Sequence, residues 1–290
     1  MSPDGAPGAS PRIALVLGAG GFRGRASLGV LRRLRAEKIP IDSLIGVSAG
    51  ALISAYHAGV GWDVEECIAQ VSQLESGMLL SFAASRTRLA WLARIGRRRA
   101  QAVDEWLDLL EGASFERPRH GFGKVGILAY DLDARQVVLF ATGLDNDGIE
   151  MGAAARASAA VPGLLGPVRI QGRARVHRLM DAGTFEALPV ARAFAAPFEA
   201  DRVIAVDIGR DPRMLWRRRR FATGPFAGRV VLLRPRVRLT GTILTRRSAT
   251  RRLVVAGEES VTPRALASIR SWLDGSRRVP AARAENPRGC

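Results

Sequence analysis

The stretch that decides the fold is Ile41-Asp42-Ser43-Leu44-Ile45-Gly46-Val47-Ser48-Ala49-Gly50-Ala51-Leu52. Its first half is a short apolar run, which is typical of a buried strand, and residues 46–50 then form a tight turn of small residues. Apolar residues continue after the turn at positions that predict a helix, namely Ala51, Leu52, Ala55 and Tyr56. The stretch therefore predicts a strand that enters a helix through one sharp turn.

The same unit occurs once before it. Ile13–Leu17 is an apolar run that ends in Gly18-Ala19-Gly20-Gly21, and Leu28, Leu31 and Leu34 then recur at helical spacing. Further along, helical patterns extend from residue 64 to about residue 110 and from Ser260 to Leu273. Two apolar runs separated by a short turn predict neighbouring strands, namely Lys124–Tyr130 and Gln136–Phe140. Two further short apolar runs predict central strands, namely Val203–Ile208 and Val230–Leu233. This alternation predicts an α/β three-layer sandwich with a mostly parallel central sheet.

Length and composition describe an ordinary globular chain. Its 290 residues are 47% hydrophobic and 24% charged, which excludes wholesale disorder and coiled coil. We expect one domain at 12–274 between flexible tails at 1–11 and 275–290.

No apolar run is long enough to cross a bilayer, and the N-terminus has no secretory pattern, so we expect a cytoplasmic protein. Two cysteines support neither a disulfide framework nor a metal cluster, and we predict no metal and no cofactor.

The charge is the unusual quantity. The 44 basic residues exceed the 27 acidic ones by 17, and nearly all of the basic residues are arginine. Such a surface attracts phosphate, whether on nucleic acid or on anionic lipid. Met214–Phe221 places Arg217–Arg220 among apolar residues, so it is either a peripheral contact with an anionic membrane or a solvated charge run. No pattern of a DNA- or RNA-binding module is present, and we expect no specific nucleic-acid partner.

The turn at residues 46–50 also predicts chemistry. Gly46-x-Ser48-x-Gly50 between a strand and a helix has the form of a nucleophile elbow, in which small flanking residues let a serine occupy a strained turn. The hydroxyl would lie at a helix N-terminus, where partial positive charge favours a developing anion. The alternative is a glycine- and serine-containing turn without any catalytic role.

Acyl transfer also needs hydrogen-bond donors for the oxyanion. The amides of Gly20-Gly21-Phe22-Arg23-Gly24 follow the neighbouring predicted strand, so they would share one crevice with Ser48. The competing interpretation is a phosphate-binding loop. However, Gly18-x-Gly20-x-x-x-Gly24 is one residue too long for the dinucleotide fingerprint.

The serine needs a base, and the residues leave more than one candidate. His57 is too far along the helix from Ser48, and His120 lies in an apparent loop. His177, for which a surface role is expected, could serve in a Ser-His-Asp esterase with Asp131 or Asp133 as the acid. Asp181, in Asp181-Ala182-Gly183, ends an apolar run before a turn of small residues. It is either the base or a carboxylate that caps its own turn.

Four ordered motifs, taken together, resemble the patatin-like phospholipases. Residues 20–24 continuing into Leu28-Gly29-Val30-Leu31 are similar to the family's glycine-rich loop and first helix, and residues 46–50 are similar to its nucleophile elbow. Ala157-Ser158-Ala159-Ala160-Val161-Pro162-Gly163 resembles a structural segment that precedes the family's acid. Asp181-Ala182-Gly183, followed by Leu188-Pro189-Val190, resembles the acid motif.

The resemblance implies a serine acyl hydrolase that needs no metal and uses a Ser48–Asp181 dyad on a lipid or lysophospholipid ester. Ala19 and Ala182 stand where the family usually has glycine, Ser27 replaces a frequent histidine, and Glu186 occupies a position that is often asparagine. The apolar stretch Met78–Ile95 would form an acyl-binding wall or lid, or simply pack a helix. A basic protein that binds phosphate or a membrane surface without turnover remains the alternative outside enzymes, and the oligomeric state is left open.

Overall fold

The computed structural model describes residues 10–74, 76–85, 97–209, 225–237 and 247–275. Both predicted tails fall almost wholly outside these ranges. The predicted arginine cluster at 217–220 and residues 86–95 of the predicted acyl wall also lie outside the described residues.

The centre of the fold is one eight-stranded sheet. Its strands are β1 (Ile13–Leu17), β2 (Ser43–Val47), β3 (Lys124–Asp131), β4 (Gln136–Ala141), β5 (Val168–Gln171), β6 (Val176–Asp181), β7 (Arg202–Val206) and β8 (Val230–Leu233). The order along the sheet is β5-β6-β3-β2-β1-β7-β8, with β4 paired to β3. In this order, the five neighbouring strands β3, β2, β1, β7 and β8 are parallel, whereas β4, β5 and β6 pair antiparallel. The predicted α/β class with a mostly parallel sheet is confirmed.

Helices cover both faces of this sheet. They are α1 (Ala26–Ala36), α2 (Ala49–Ser54), α3 (Val64–Gln73), α4 (Ser76–Ser85), α5 (Arg97–Asp108), α6 (Met151–Ser158), α7 (Val190–Phe194), α8 (Arg247–Ser260) and α9 (Pro263–Gly275). Alternate residues of β1 point into two separate cores: Leu15 packs with α1, and Val16 packs with α7. Because β1 is buried on both faces, its sequence is continuously apolar.

Two predictions about the second half of the chain are corrected. Val230–Leu233 is a strand, but it lies at the edge of the sheet and not in its centre. The last helix begins at Pro263, because Ser260 is the final residue of the preceding helix α8. None of the described helices combines the length and the apolar character needed to cross a membrane.

Strand β3 brings the ends of two other strands together. Its residues 124–128 pair with β2, and its residues 129–131 pair with β6. Since β4 pairs with residues 126–131, it occupies one edge of β3, and β2 and β6 share the other edge. Val47 lies opposite Leu128, and Asp181 lies opposite Ala129. The carboxyl ends of β2 and β6 therefore meet head to head.

Candidate active site

Ser48 occupies the strained turn that its sequence predicts. It follows β2 directly and caps α2, with φ of 57° and ψ of −121°, and it is 4% exposed. A Cβ at Gly50 would lie 2.3 Å from the carbonyl oxygen of Leu17, and one at Gly46 would lie 2.4 Å from that of Gly50. The two glycines are therefore required by close backbone approach, which lets the serine stand at the strand end.

Asp181 lies beside Ser48 because of the strand arrangement described above. The Ser48 hydroxyl lies close enough to the Asp181 carboxylate to lower its pKa. The same carboxylate accepts a 2.6 Å hydrogen bond from the Gly183 amide, and the Asp181 amide donates to the carbonyl oxygen of Ala160 at 3.0 Å. Asp181 thus caps its own turn and contacts the serine at once, so the two sequence interpretations do not exclude each other.

Burial changes the acidity of Asp181. The residue is 5% exposed, and loss of water around the carboxylate raises its pKa above the ordinary value of 3.8. Hydrogen bonds from Ser48 and Gly183 lower the pKa and offset part of this rise. A carboxyl group with a raised pKa is a stronger base once it is ionised, which suits proton abstraction from an alcohol.

Only some backbone amides of the glycine-rich loop are left without a hydrogen-bond acceptor among the described residues. Ala19 donates to the carbonyl oxygen of Ala187 at 2.8 Å, and Arg23 donates to that of Gly20 at 3.1 Å, so both amides are engaged. Those of Gly20, Gly21 and Phe22 have no hydrogen-bond acceptor among the described residues. Of the five predicted oxyanion residues, Arg23 is therefore excluded as a donor by its own hydrogen bond, and Gly20, Gly21 and Phe22 are candidate donors.

The loop and the elbow touch directly. A Cβ at Gly24 would lie 2.4 Å from the Cβ of Ala49, the residue after Ser48. A Cβ at Gly183 would lie 2.7 Å from that of Ala19. The three predicted motifs, which are far apart in the chain, therefore pack against one another around Ser48. Ala182, also named in the acid motif, is fully buried beneath them.

Ser158 supports the elbow from below. Its hydroxyl accepts a 2.9 Å hydrogen bond from the Ser48 amide and donates a 2.6 Å hydrogen bond to the carbonyl oxygen of Leu128. The side chain is fully buried at the end of α6. The family resemblance implied a structural role for the surrounding segment, residues 157–163, but none for Ser158 itself. The signal was a lone hydroxyl among the alanines of 157–160.

We expect Ser158→Ala to destabilise the protein and to slow any reaction in which the Ser48 hydroxyl takes part. The variant leaves the buried Ser48 amide without its acceptor, which costs about 1–3 kcal/mol in the free energy of unfolding. Denaturant titration measures that loss, and steady-state kinetics should show a lower kcat with little change in KM. Ser54→Ala is the matched control, because Ser54 is equally buried but bonds only to the carbonyl oxygen of Gly50 in its own helix. An unchanged kcat in Ser158→Ala would contradict this role.

A large cavity opens at the serine. Its volume is about 1400 Å³, and it is lined by Ser48, Asp181, the glycine-rich loop and residues 159–168. The rest of the wall is mainly apolar and aromatic, with Leu52, Ile53, Tyr56, Trp62, Cys67, Val71, Leu74, Phe82, Val103, Trp106 and Leu107. Of the predicted acyl wall at 78–95, Phe82 lines this cavity. Such a cavity has the size and the character of a site for an acyl chain.

The three histidines lie elsewhere. His57 is buried, and its burial lowers its pKa to about 4; it stacks on the ring of exposed His120. His177 is 8% exposed, which corrects the expected surface role. Its Nε2 lies 2.7 Å from Asp147 and its Nδ1 lies 3.4 Å from Asp131. His177 lies four residues from Asp181 along β6, a separation of about 13 Å. Since Ser48 lies beside Asp181, the described residues do not form the alternative Ser-His-Asp triad.

The comparisons with known proteins agree with this architecture. The sequence model of a family described as patatin-like phospholipase matches residues 15–194. A protein of Mycobacterium tuberculosis described as an uncharacterized NTE family protein is 32% identical over 199 residues, which cover 69% of this chain and 49% of the relative. This chain therefore spans about half the length of the mycobacterial relatives that it matches.

Solved structures share the fold. VipD from Legionella pneumophila superposes with a TM-score of 0.51 at 12% identity, covering 92% of this chain and 67% of its own. Human GIVD cytosolic phospholipase A2 gives a TM-score of 0.50 at 13% identity, covering 91% of this chain and 60% of its own. At these identities the likeness establishes the fold alone.

Proposed function

Since this chain belongs to the patatin-like phospholipase family, we propose that it hydrolyses a carboxylic ester of a lipid or lysophospholipid, with Ser48 as nucleophile and Asp181 as general base. The observation that supports this most directly is that the Ser48 hydroxyl lies close enough to the buried Asp181 carboxylate to lower its pKa, and that both residues line an apolar cavity. A buried carboxylate beside a strained serine has no evident structural purpose that a neutral pair would not serve better.

The proposed reaction has two steps. Ser48 Oγ attacks the ester carbonyl carbon while its proton moves to Asp181, and the free amides of Gly20, Gly21 and Phe22 stabilise the oxyanion. The bond to the alcohol then breaks, and Asp181 returns the proton to the departing alcohol oxygen. In the second step water attacks the acyl-enzyme and gives up a proton to Asp181. Collapse of the intermediate releases the carboxylic acid and restores the Ser48 hydroxyl.

The apolar cavity supports a lipid as the substrate. Its volume of about 1400 Å³ exceeds the usual range of small-molecule pockets, and its wall offers few polar groups to a short soluble ester. We therefore propose that the acyl chain enters this cavity and that its ester group stops at Ser48. Contact of the protein with an anionic membrane surface is part of the same proposal.

We expect a fluorophosphonate to react with Ser48 alone. The activated hydroxyl attacks phosphorus, fluoride leaves, and peptide mass spectrometry then finds one added phosphonyl group on the peptide that contains residue 48. Ser54, six residues further along the chain, is the internal control, because its hydroxyl bonds to a helix carbonyl and should remain unmodified. The parent protein should also hydrolyse a nitrophenyl ester.

The same measurement separates the alternatives. Labelling that persists in Asp181→Asn but disappears in His177→Ala would favour the Ser-His-Asp esterase. A protein that neither reacts with the fluorophosphonate nor hydrolyses any ester would favour the basic binding protein without turnover.

A further inference from the structure

One wall of the cavity contains a buried arginine. Arg25 ends the 3₁₀ turn Gly21–Arg25 that follows the glycine-rich loop, and it is 5% exposed. One terminal nitrogen donates to the hydroxyl of Thr250 and the other to the carbonyl oxygen of Leu74, each at 2.6 Å. The guanidinium also lies 4.8 Å from the centre of the Phe22 ring. All of these partners are uncharged.

Arg25 has no counter-ion among the described residues. It forms no ion pair with a described residue, and burial lowers its pKa to about 10 without any described acidic group raising it. The group nevertheless stays protonated at neutral pH. A guanidinium has five N–H donors, of which the two hydrogen bonds above use two. The other three N–H donors have no hydrogen-bond acceptor among the described residues, and Arg25 is one of the residues that line the cavity.

The electrostatics of the cavity favour an anion. Arg23, Arg25 and Arg156 line it, whereas Asp181 is its one acidic lining residue in the described part of the chain. Arg156 already pairs with Asp108 at 3.3 Å. A buried charge without a partner is costly, and its attraction to an opposite charge is strengthened by apolar surroundings.

We propose that Arg25 binds a negatively charged oxygen group, a phosphate or a carboxylate, on the lipid that occupies this cavity, so that anionic esters are selected over neutral ones. The inference rests on the proposed hydrolase function, and it adds a specificity-determining residue to it. The planar guanidinium suits this role because it can donate two parallel hydrogen bonds to one oxyanion group.

Kinetics on two matched esters test the selection. A 1-acylglycerol 3-phosphate and the 1-monoacylglycerol with the same acyl chain differ only in the phosphate. We expect Arg25→Gln to lower the ratio of their kcat/KM values, anionic over neutral, by about tenfold or more, which is the loss of a hydrogen bond to a charged group. The ratio for Arg25→Lys should lie between that of the parent and that of Arg25→Gln. Arg32→Gln is the matched control and should change the ratio less than twofold, because Arg32 pairs with Glu65 and Glu258 and is not among the described residues that line the cavity. An unchanged ratio in folded Arg25→Gln would overturn the proposal.

A binding measurement without turnover keeps the test independent of the chemistry. Thermal unfolding of the Ser48→Ala protein is followed with dodecyl phosphate, dodecanoate and dodecanol, each below its micelle concentration. A rise in Tm with dodecyl phosphate alone assigns a phosphate headgroup, a rise with dodecanoate alone assigns a fatty-acid carboxylate, and a rise with both assigns a general oxyanion site. An equal response to dodecanol, or no response to either anion, overturns the proposal. If the parent hydrolyses no ester, the hydrolase function fails while this binding result still stands.

Glu75 follows Leu74 in the chain but lies outside the described residues, so its charge is tested directly. We expect E75Q to bind dodecyl phosphate as tightly as the parent does. Markedly tighter binding would mean that Glu75 already neutralises Arg25, and the proposal would then be wrong.

Discussion

Ser48→Ala is expected to lower kcat for ester hydrolysis by at least about 10⁴-fold, because removal of a nucleophile eliminates the acyl-enzyme route altogether. Steady-state hydrolysis of a nitrophenyl ester measures the loss. The fold should survive, since the exchange removes one hydroxyl and leaves the backbone of the elbow supported by Ser158.

Two controls make this result specific. Ser54→Ala removes a buried hydroxyl from the same helix and should keep its activity within a few-fold of the parent, while circular dichroism should show unchanged secondary structure in both variants. If Ser48→Ala retained more than a few per cent of the parental kcat, Ser48 could not be the nucleophile.

Asp181→Asn is expected to lower kcat by about 10²- to 10⁴-fold, the usual contribution of a general base. The amide is nearly the same size and still accepts the hydrogen bond from Gly183, but it cannot take the proton of Ser48. The same variant should be as stable as the parent at neutral pH or more stable, because it removes a buried charge that pairs with no cation among the described residues. A large loss of both stability and activity would indicate a structural role instead.

The direction of the Asp181 pKa shift predicts how activity and stability depend on pH. The ionised form is the base, so kcat/KM should fall as the pH is lowered through the raised pKa, at a pH above 3.8. The folded protein holds the proton more tightly than the unfolded chain does. The stabilisation that comes from protonated Asp181 is therefore fully present below pH 3.8, the ordinary pKa of the carboxyl group, and it is lost as the pH rises through the folded-state pKa. Asp181→Asn should remove this dependence from the unfolding curve.

Local sequence patterns predicted much of the fold and one half of the site. The elbow at Ser48 was predictable because strand, turn and helix are contiguous, and the glycines that permit the turn are its immediate neighbours. The strands β1, β2, β3, β4 and β7 were predictable for the same reason, since buried strands have apolar sequences.

Pairing between distant segments was not predictable. The apolar run that ends at Asp181 gave no sign that it forms an antiparallel strand, which meets β2 on the edge of β3 and brings Asp181 to Ser48. The strand β5 was missed because it is four residues long and alternates with polar residues. The helix α8 was missed because its first half, from Arg247 to Arg252, is mostly polar.

The choice of base likewise depended on more than the residues. Taken alone, Asp181 was a better candidate than His177, but a turn-capping role was its simplest explanation, and the family resemblance favoured the role of base. The structure accounts for the ambiguity, because Asp181 does cap its turn while it also contacts Ser48.

The meeting of β2 and β6 on one edge of β3 has a consequence for how the chain can vary. Val47, which directly precedes Ser48, and Asp181 are aligned against consecutive residues of a single strand, so the separation of the proposed dyad is independent of the helices and loops that connect its two members. Insertions or deletions in those connections should leave the chemistry intact. A shift of β6 by one residue along β3 would turn the acid to the opposite side of the sheet. The accuracy of catalysis thus depends on the three residue pairs that fix that alignment.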